Sequence, residues 1–200
     1  MSPRKYDMSA RQEAAGETRS RIVESAMRLH ALQGVLSTSW NEIAEDARVS
    51  TATVYRHFPS LAELVPACAR VVFDIIQTPT VEEASVQFAN LSGPGERLEY
   101  LAAASCHCYR RGEQWLHAAY RERDFVPELD QAVRLIQDTL QVLVRAAVGR
   151  PLRRPEASTL FVLNDFPFWK SLVDAGHTYR TAEAAVVAAV HAESNRLGLS

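Results

Sequence analysis

The 200-residue sequence predicts an all-α protein, with a small N-terminal unit packed on a larger C-terminal helical bundle. Glycine and proline are sparse, at 8 and 9 residues, which leaves long uninterrupted segments. Alanine and leucine are plentiful and β-branched runs are few, a balance that favours helix. Apolar residues recur at helical spacing in segment after segment.

Composition narrows the possible roles. An apolar fraction of 47% is ordinary for a globular chain. No run of about 18 apolar residues occurs, so no membrane span is expected. The N-terminus lacks the apolar stretch of a secretory signal. Cys68, Cys106 and Cys108 form no disulfide framework, so a reducing cytoplasm is the expected location. The formal net charge is −2, and residues 1–65 carry 8 basic and 8 acidic residues. That balance argues against a broad surface for coating nucleic acid but leaves room for a small positive patch.

Residues 1–17 are polar and unpatterned and are expected to form a mobile arm. A first helix is predicted from Thr18, with Ile22, Val23, Ala26, Leu29 and His30 on one face and Gly34 as its stop. Ser39 caps a second, short helix, with Glu42 three residues on as in a capping box. Arg48-Val49-Ser50 makes a tight turn. A third helix runs from Thr51 to Phe58 and is ended by Pro59-Ser60. A fourth runs from Ser60 to about Gln77, with Pro66 as a candidate kink. Longer apolar segments follow at about 80–91, 95–111, 113–123, 127–148, 155–174 and 180–197.

Short helices joined by tight turns, spanning about 40–58, make a helix-turn-helix. Its last helix needs small residues at the tip so that the backbone can approach base edges. Thr51, Ala52 and Thr53 meet that need. Tyr55, Arg56 and His57 can reach phosphate oxygens, contacts that position without reading sequence.

The stretch TSWNEIAEDARVSTATVYRHFPSLAEL resembles the DNA-binding domain of TetR/AcrR-family transcriptional repressors. Gly34, Thr38, Ser39, Ile43, Ala44, Ala47, Val49, Ser50, Tyr55, Phe58, Ser60 and Leu64 stand in register with the family pattern over about residues 18–65. The resemblance implies a DNA-binding domain at 18–65 and a ligand-binding and dimerisation domain at 66–200. It implies roughly nine helices, a homodimer built mainly from the last two, and a small effector that moves the reading heads out of register. The candidate DNA-binding residues are Thr38, Ser39, Arg48, Ser50, Thr51, Ala52, Thr53, Tyr55, Arg56, His57 and Ser60; of these the resemblance implies phosphate contacts for Tyr55 and His57, a backbone anchor at Thr38 and a groove-facing tip at Thr51 to Thr53. The implied partners are double-stranded operator DNA, a second copy of the chain and a small molecule, with no cofactor. An activator or a ligand-independent regulator is the alternative within the family. An enzyme or a helical adaptor is the alternative outside it, and no nucleophile–base pair, HExxH or phosphate loop supports catalysis.

Three positions depart from the family pattern. Arg48 replaces the turn glycine, Leu61 replaces a lysine that would contact phosphate, and His30 replaces a buried aromatic. A neutral, hydrogen-bonded core histidine is expected at position 30, with a pH-sensitive head as the alternative.

In the C-terminal part, Tyr100, His107, Tyr109, Trp115, His117, Tyr120, Phe161, Asn164, Phe168 and Trp169 are candidate effector contacts, against the alternative that they simply pack the core. Cys106-His107-Cys108 cannot converge on one metal ion, because helical neighbours two apart point to nearly opposite sides. The stripe Ala182, Ala185, Val186, Ala189 and Val190 suits close approach of a symmetry mate, or burial within its own chain. The arginines of the loop around Arg150, Arg153 and Arg154 are expected to be solvated surface.

Overall fold

The computed structural model describes residues 8–199; residues 1–7, part of the expected arm, and residue 200 lie outside the described residues. Ten helices are described: α1 (Met8–Gln33), α2 (Trp40–Asp46), α3 (Thr51–His57), α4 (Leu61–Ile76), α5 (Val81–Phe88), α6 (Pro94–Glu122), α7 (Pro127–Val148), α8 (Arg154–Asn164), α9 (Phe166–Asp174) and α10 (Tyr179–Arg196). No strand occurs among the described residues, and no described helix is long and apolar enough to cross a membrane.

The chain divides into two compact units. One runs up to Val71 and adds His117–Asp130; the other comprises Val72–Leu116 and the residues from Gln131 onward. The expected boundary at 65/66 falls inside α4, and the first unit also recruits a segment far away in sequence.

Three elements differ from expectation. Helix α1 begins at Met8 rather than Thr18, so residues 8–17 extend it. Gly112 does not break α6, which runs unbroken from Pro94 to Glu122. Gly112 is buried, and a Cβ there would lie 2.4 Å from Ile76 Cγ2, so the glycine permits close helix packing and ends nothing. The expected 155–174 segment is two helices. Asp165 is extended (φ −81°, ψ 153°), its side chain accepts the Phe166 N–H, and Pro167 sits in the first turn of α9. Pro66 lies within α4, which continues through it.

In the first unit, Val35, Val65, Val126 and Leu129 form a buried cluster with Leu61 and Ala119 against it. Ile22, Ala26, Val54, Phe58 and Leu64 are fully buried. Arg19 lies 4.0 Å above the Phe58 ring and donates to the His57 carbonyl, which ties α1 to the end of α3.

In the second unit, Tyr109, Phe166, Trp169 and Tyr179 form a chain of ring contacts. The Tyr109 hydroxyl donates to the Asn164 carbonyl at 2.6 Å, satisfying a group that the helix break leaves open. Arg111 does the same for α4, donating through Nε to the Ile75 and Ile76 carbonyls.

Candidate nucleic-acid interface

Helix α2 starts at Ser39 because Ser39 and Glu42 form a complete capping box: the Ser39 Oγ accepts the Glu42 N–H, and the Glu42 carboxylate accepts the Ser39 N–H at 2.7 Å. The Ser39 N–H and hydroxyl, with Gln33, hold the Glu42 carboxyl below its usual range. Helix α2 stops in a Schellman turn. The Val49 N–H reaches the Ala44 carbonyl and the Arg48 N–H reaches the Glu45 carbonyl. That geometry puts Arg48 at φ 55°, the left-handed conformation a glycine would adopt without cost. Val49, between the turn and α3, is half-buried. Ser50 then caps α3 by accepting the Thr53 N–H at 3.1 Å.

These bonds sort the expected contact residues by whether their protons are free. The Thr38 hydroxyl donates to the Gly34 carbonyl at 2.6 Å, the Ser39 hydroxyl to Glu42 at 2.7 Å, and the Thr51 hydroxyl to Asn41 Oδ1 at 2.9 Å. Ser50 and Thr53 share one hydroxyl–hydroxyl bond. Phosphate oxygens only accept, so the side chains of Thr38, Ser39 and Thr51 can serve them only by giving up an internal bond. Among the described residues, Arg48, Tyr55, Arg56 and His57 donate no side-chain hydrogen bond within the chain. Tyr55 is 46% exposed, and Trp40 stacks obliquely on it with ring centroids 5.1 Å apart. Ala52 and Ser60 are exposed; Phe58 is buried. Burial, with Arg56 and Arg19 nearby, pushes the His57 imidazole below its usual value. It is therefore neutral at neutral pH and donates one N–H.

The loop that carries Thr38 and Ser39 is held by a residue the sequence did not single out. Glu122, at the end of α6, is buried. Its Oε2 accepts the Val35 N–H at 2.7 Å and the Leu36 N–H at 3.0 Å, and its Oε1 accepts from Arg121 at 2.6 Å. Burial pushes the Glu122 carboxyl up, but Arg121 and the two backbone donors outweigh it and leave the group below its ordinary value. His30 is buried beside this carboxylate. Burial lowers its pKa to about 4, against an opposing pull from Glu122. Its Nε2 has no partner among the described residues, so the expected hydrogen-bonded core histidine is corrected at that atom.

A family model described as "Bacterial regulatory proteins, tetR family" matches residues 22–68. The N-terminal head is a TetR-family domain. The TetR-type head is 46% identical over 55 residues to the transcriptional regulator TtgR of Pseudomonas putida, a match covering 28% of this chain and 26% of that protein. The chain thus matches about a quarter of that relative's length. The whole chain shares its fold with solved structures. A TetR transcriptional regulator from Nitrosomonas europaea is 21% identical with a TM-score of 0.58, covering 88% of this chain and 97% of that one. The multidrug binding protein EbrR, solved with imidazole, is 20% identical with a TM-score of 0.61, covering 94% and 97%.

Beyond the TetR-type head, the second unit encloses an apolar cavity of about 30 Å³. Its walls include Ile76, Pro79, Leu101, Cys108, Tyr109 and Leu140. Of the ten candidate effector residues, Tyr109 lines it. Asn164 and Trp169 are buried in the adjoining aromatic cluster, where Asn164 Oδ1 and Trp169 Nε1 lack partners among the described residues. Phe168 and Trp115 are half-buried, and Phe161 and Tyr100 line other clefts. His107 is exposed, 3.2 Å from Glu183. His117 and Tyr120 belong to the first unit. Cys106 and Cys108 are buried, and burial raises both thiols, Cys106 to about 12. The aliphatic liners Ile76, Leu101 and Leu140 carry no signal that separates a cavity wall from ordinary core.

The small-residue stripe of α10 also divides. Ala182, Val186 and Val190 are buried within their own chain, and Ala185 and Ala189 are half-buried. Ala184 and Ala188 are exposed on this helix and line a cleft with Ala103.

Proposed function

We propose that the chain is a DNA-binding transcriptional regulator, a repressor released from a near-palindromic operator by a small molecule. The observation that carries this reading is the arrangement on α3. A small-residue tip, Thr51-Ala52-Thr53, is followed by Tyr55, Arg56 and His57, whose side-chain protons are uncommitted, with Arg48 on the turn before it. The tip would enter the major groove, and the donors would hold phosphates on either side. Tyr55, Arg56, His57 and Arg48 would supply phosphate contacts. Ser39, Ser50 and Ser60 would act through the helix starts they precede, and Thr38 through the loop its hydroxyl ties to the Gly34 carbonyl. A role on chromosomal DNA places the protein in the cytoplasm.

Two copies would bind two half-sites about one helical turn apart. Ala182, Val186 and Val190 are already buried within the chain, so the homodimer would use the outward face of α10, at Ala184 and Ala188. The effector would enter the cavity behind Tyr109. At about 30 Å³ that cavity holds roughly two waters, so binding must open the bundle, and a ligand that prefers the opened state can shift DNA affinity by linkage. The relative described as multidrug binding supports a ligand-responsive reading.

A gel-shift titration on the DNA flanking the protein's own gene tests the proposal. Tyr55→Phe and His57→Ala are expected to weaken binding uniformly across sequences, and Thr53→Ala to change which site is preferred. No specific complex at low salt would refute it.

A further inference from the structure

Four arginines, Arg145, Arg150, Arg153 and Arg154, lie between the last turn of α7 and the first turn of α8. Two are occupied by their own chain. Arg150 donates to the Leu197 carbonyl at 3.1 Å, and Arg153 pairs with Glu156 through Nε at 2.7 Å. The other two are not. Arg145 reaches only the Gln141 amide oxygen, at 3.5 Å, and Arg154 has no hydrogen bond or ion pair among the described residues. Both guanidinium groups, neither of them ion-paired among the described residues, line the same cleft, of about 280 Å³, whose apolar wall is Val144, Leu152 and Phe161. Among the described residues, no acidic side chain lines it.

That combination calls for a ligand with two parts. Guanidinium groups present paired donors that fit a carboxylate. Two like charges facing one concavity without a counter-charge leave a positive potential that an anion relieves. A bare inorganic anion would leave Val144, Leu152 and Phe161 wet, and a neutral apolar molecule would leave both cations unanswered. At about 15 Å³ per water-sized group, the cleft has room for roughly nineteen such groups, enough for a carboxylate head and a medium-length aliphatic tail.

We propose that this cleft binds a small amphipathic carboxylate, with its head between Arg145 and Arg154 and an apolar tail of about seven carbons against Phe161 and Leu152. The site shares no lining residue with the cavity behind Tyr109, so it stands or falls independently of the effector reading.

Titration calorimetry on the full chain tests it, with octanoate as the probe. Octanoate is expected to bind saturably at one site per chain. Acetate, which lacks the tail, and octylammonium, which reverses the head charge, are expected to bind at least about tenfold more weakly. Arg154→Gln breaks no intramolecular bond, so its melting temperature should equal that of the parent, while its octanoate affinity falls about tenfold. Arg70→Gln makes the same charge change at an exposed position outside this cleft and is expected to bind octanoate like the parent. Absence of octanoate binding overturns the proposal. So does equal binding of octylammonium, and so does octanoate binding that Arg154→Gln leaves unchanged, since the ligand is then seated elsewhere.

Discussion

Gly34 has no side chain because Glu122 occupies its place. A Cβ at position 34 would lie 1.9 Å from Glu122 Oε1, and the backbone there is left-handed, at φ 91°. The same carboxylate accepts the two N–H groups that follow, Val35 and Leu36. The glycine that reads in sequence as a helix stop is therefore also half of a clasp on the loop leading to α2.

Gly34→Ala is expected to destabilise the protein by roughly 3 kcal/mol, combining the left-handed penalty with loss of buried, charge-assisted hydrogen bonds. For a chain of this size, that lowers the melting temperature by about 6–12 °C. Gly16→Ala is the control. It is helical with open space around it, so the expected effect is a small gain. Differential scanning calorimetry on both variants measures the contrast.

Arg48 holds a conformation that glycine adopts without strain. Arg48→Gly is therefore expected to raise stability by up to about 1 kcal/mol while weakening DNA binding through loss of a cationic donor. Opposite signs in urea denaturation and in DNA affinity are the expected result. A variant that is more stable and binds DNA equally well would show that Arg48 does not reach the phosphates.

His30 makes stability depend on pH. Burial lowers its folded pKa to about 4 from the ordinary 6.5, so the unfolded chain binds the proton more readily. The histidine's contribution is fully present above pH 6.5 and is lost as pH falls from there towards 4, reaching about 3 kcal/mol. Glu122 adds an acid loss of its own below the usual carboxylate range, because its folded pKa is lowered. Urea denaturation between pH 7.5 and 4.5 is expected to show the slope, and His30→Phe to flatten it.

Much of the head was legible because its signals are local. Ser39 with Glu42, Ser50 before Thr51, and Pro59 after Phe58 each fix a helix end within a few residues. What the sequence hid is long-range. Glu122 lies more than eighty residues from the loop it clasps, and Arg19 meets Phe58 only after folding. Leu61, notable in sequence only as a missing lysine, packs against the Val35–Val65–Val126 cluster, so the position serves the core. Gly112 misled because a buried glycine at a helix crossing and a glycine that ends a helix look alike in one dimension. The candidate effector residues were scattered across several sites for a related reason. Aromatic and polar residues are easy to notice, whereas the cavity wall is largely aliphatic.

The salt dependence of binding to a duplex selected from a random pool tests the central claim most directly. Two heads, each placing Arg48 and Arg56 on phosphates, give a log–log slope of about −4, and Arg56→Gln is expected to reduce its magnitude by about two. A pool that yields no saturable complex at low salt, or a slope that Arg56→Gln leaves unchanged, would contradict the assignment of α3 as the DNA-reading helix.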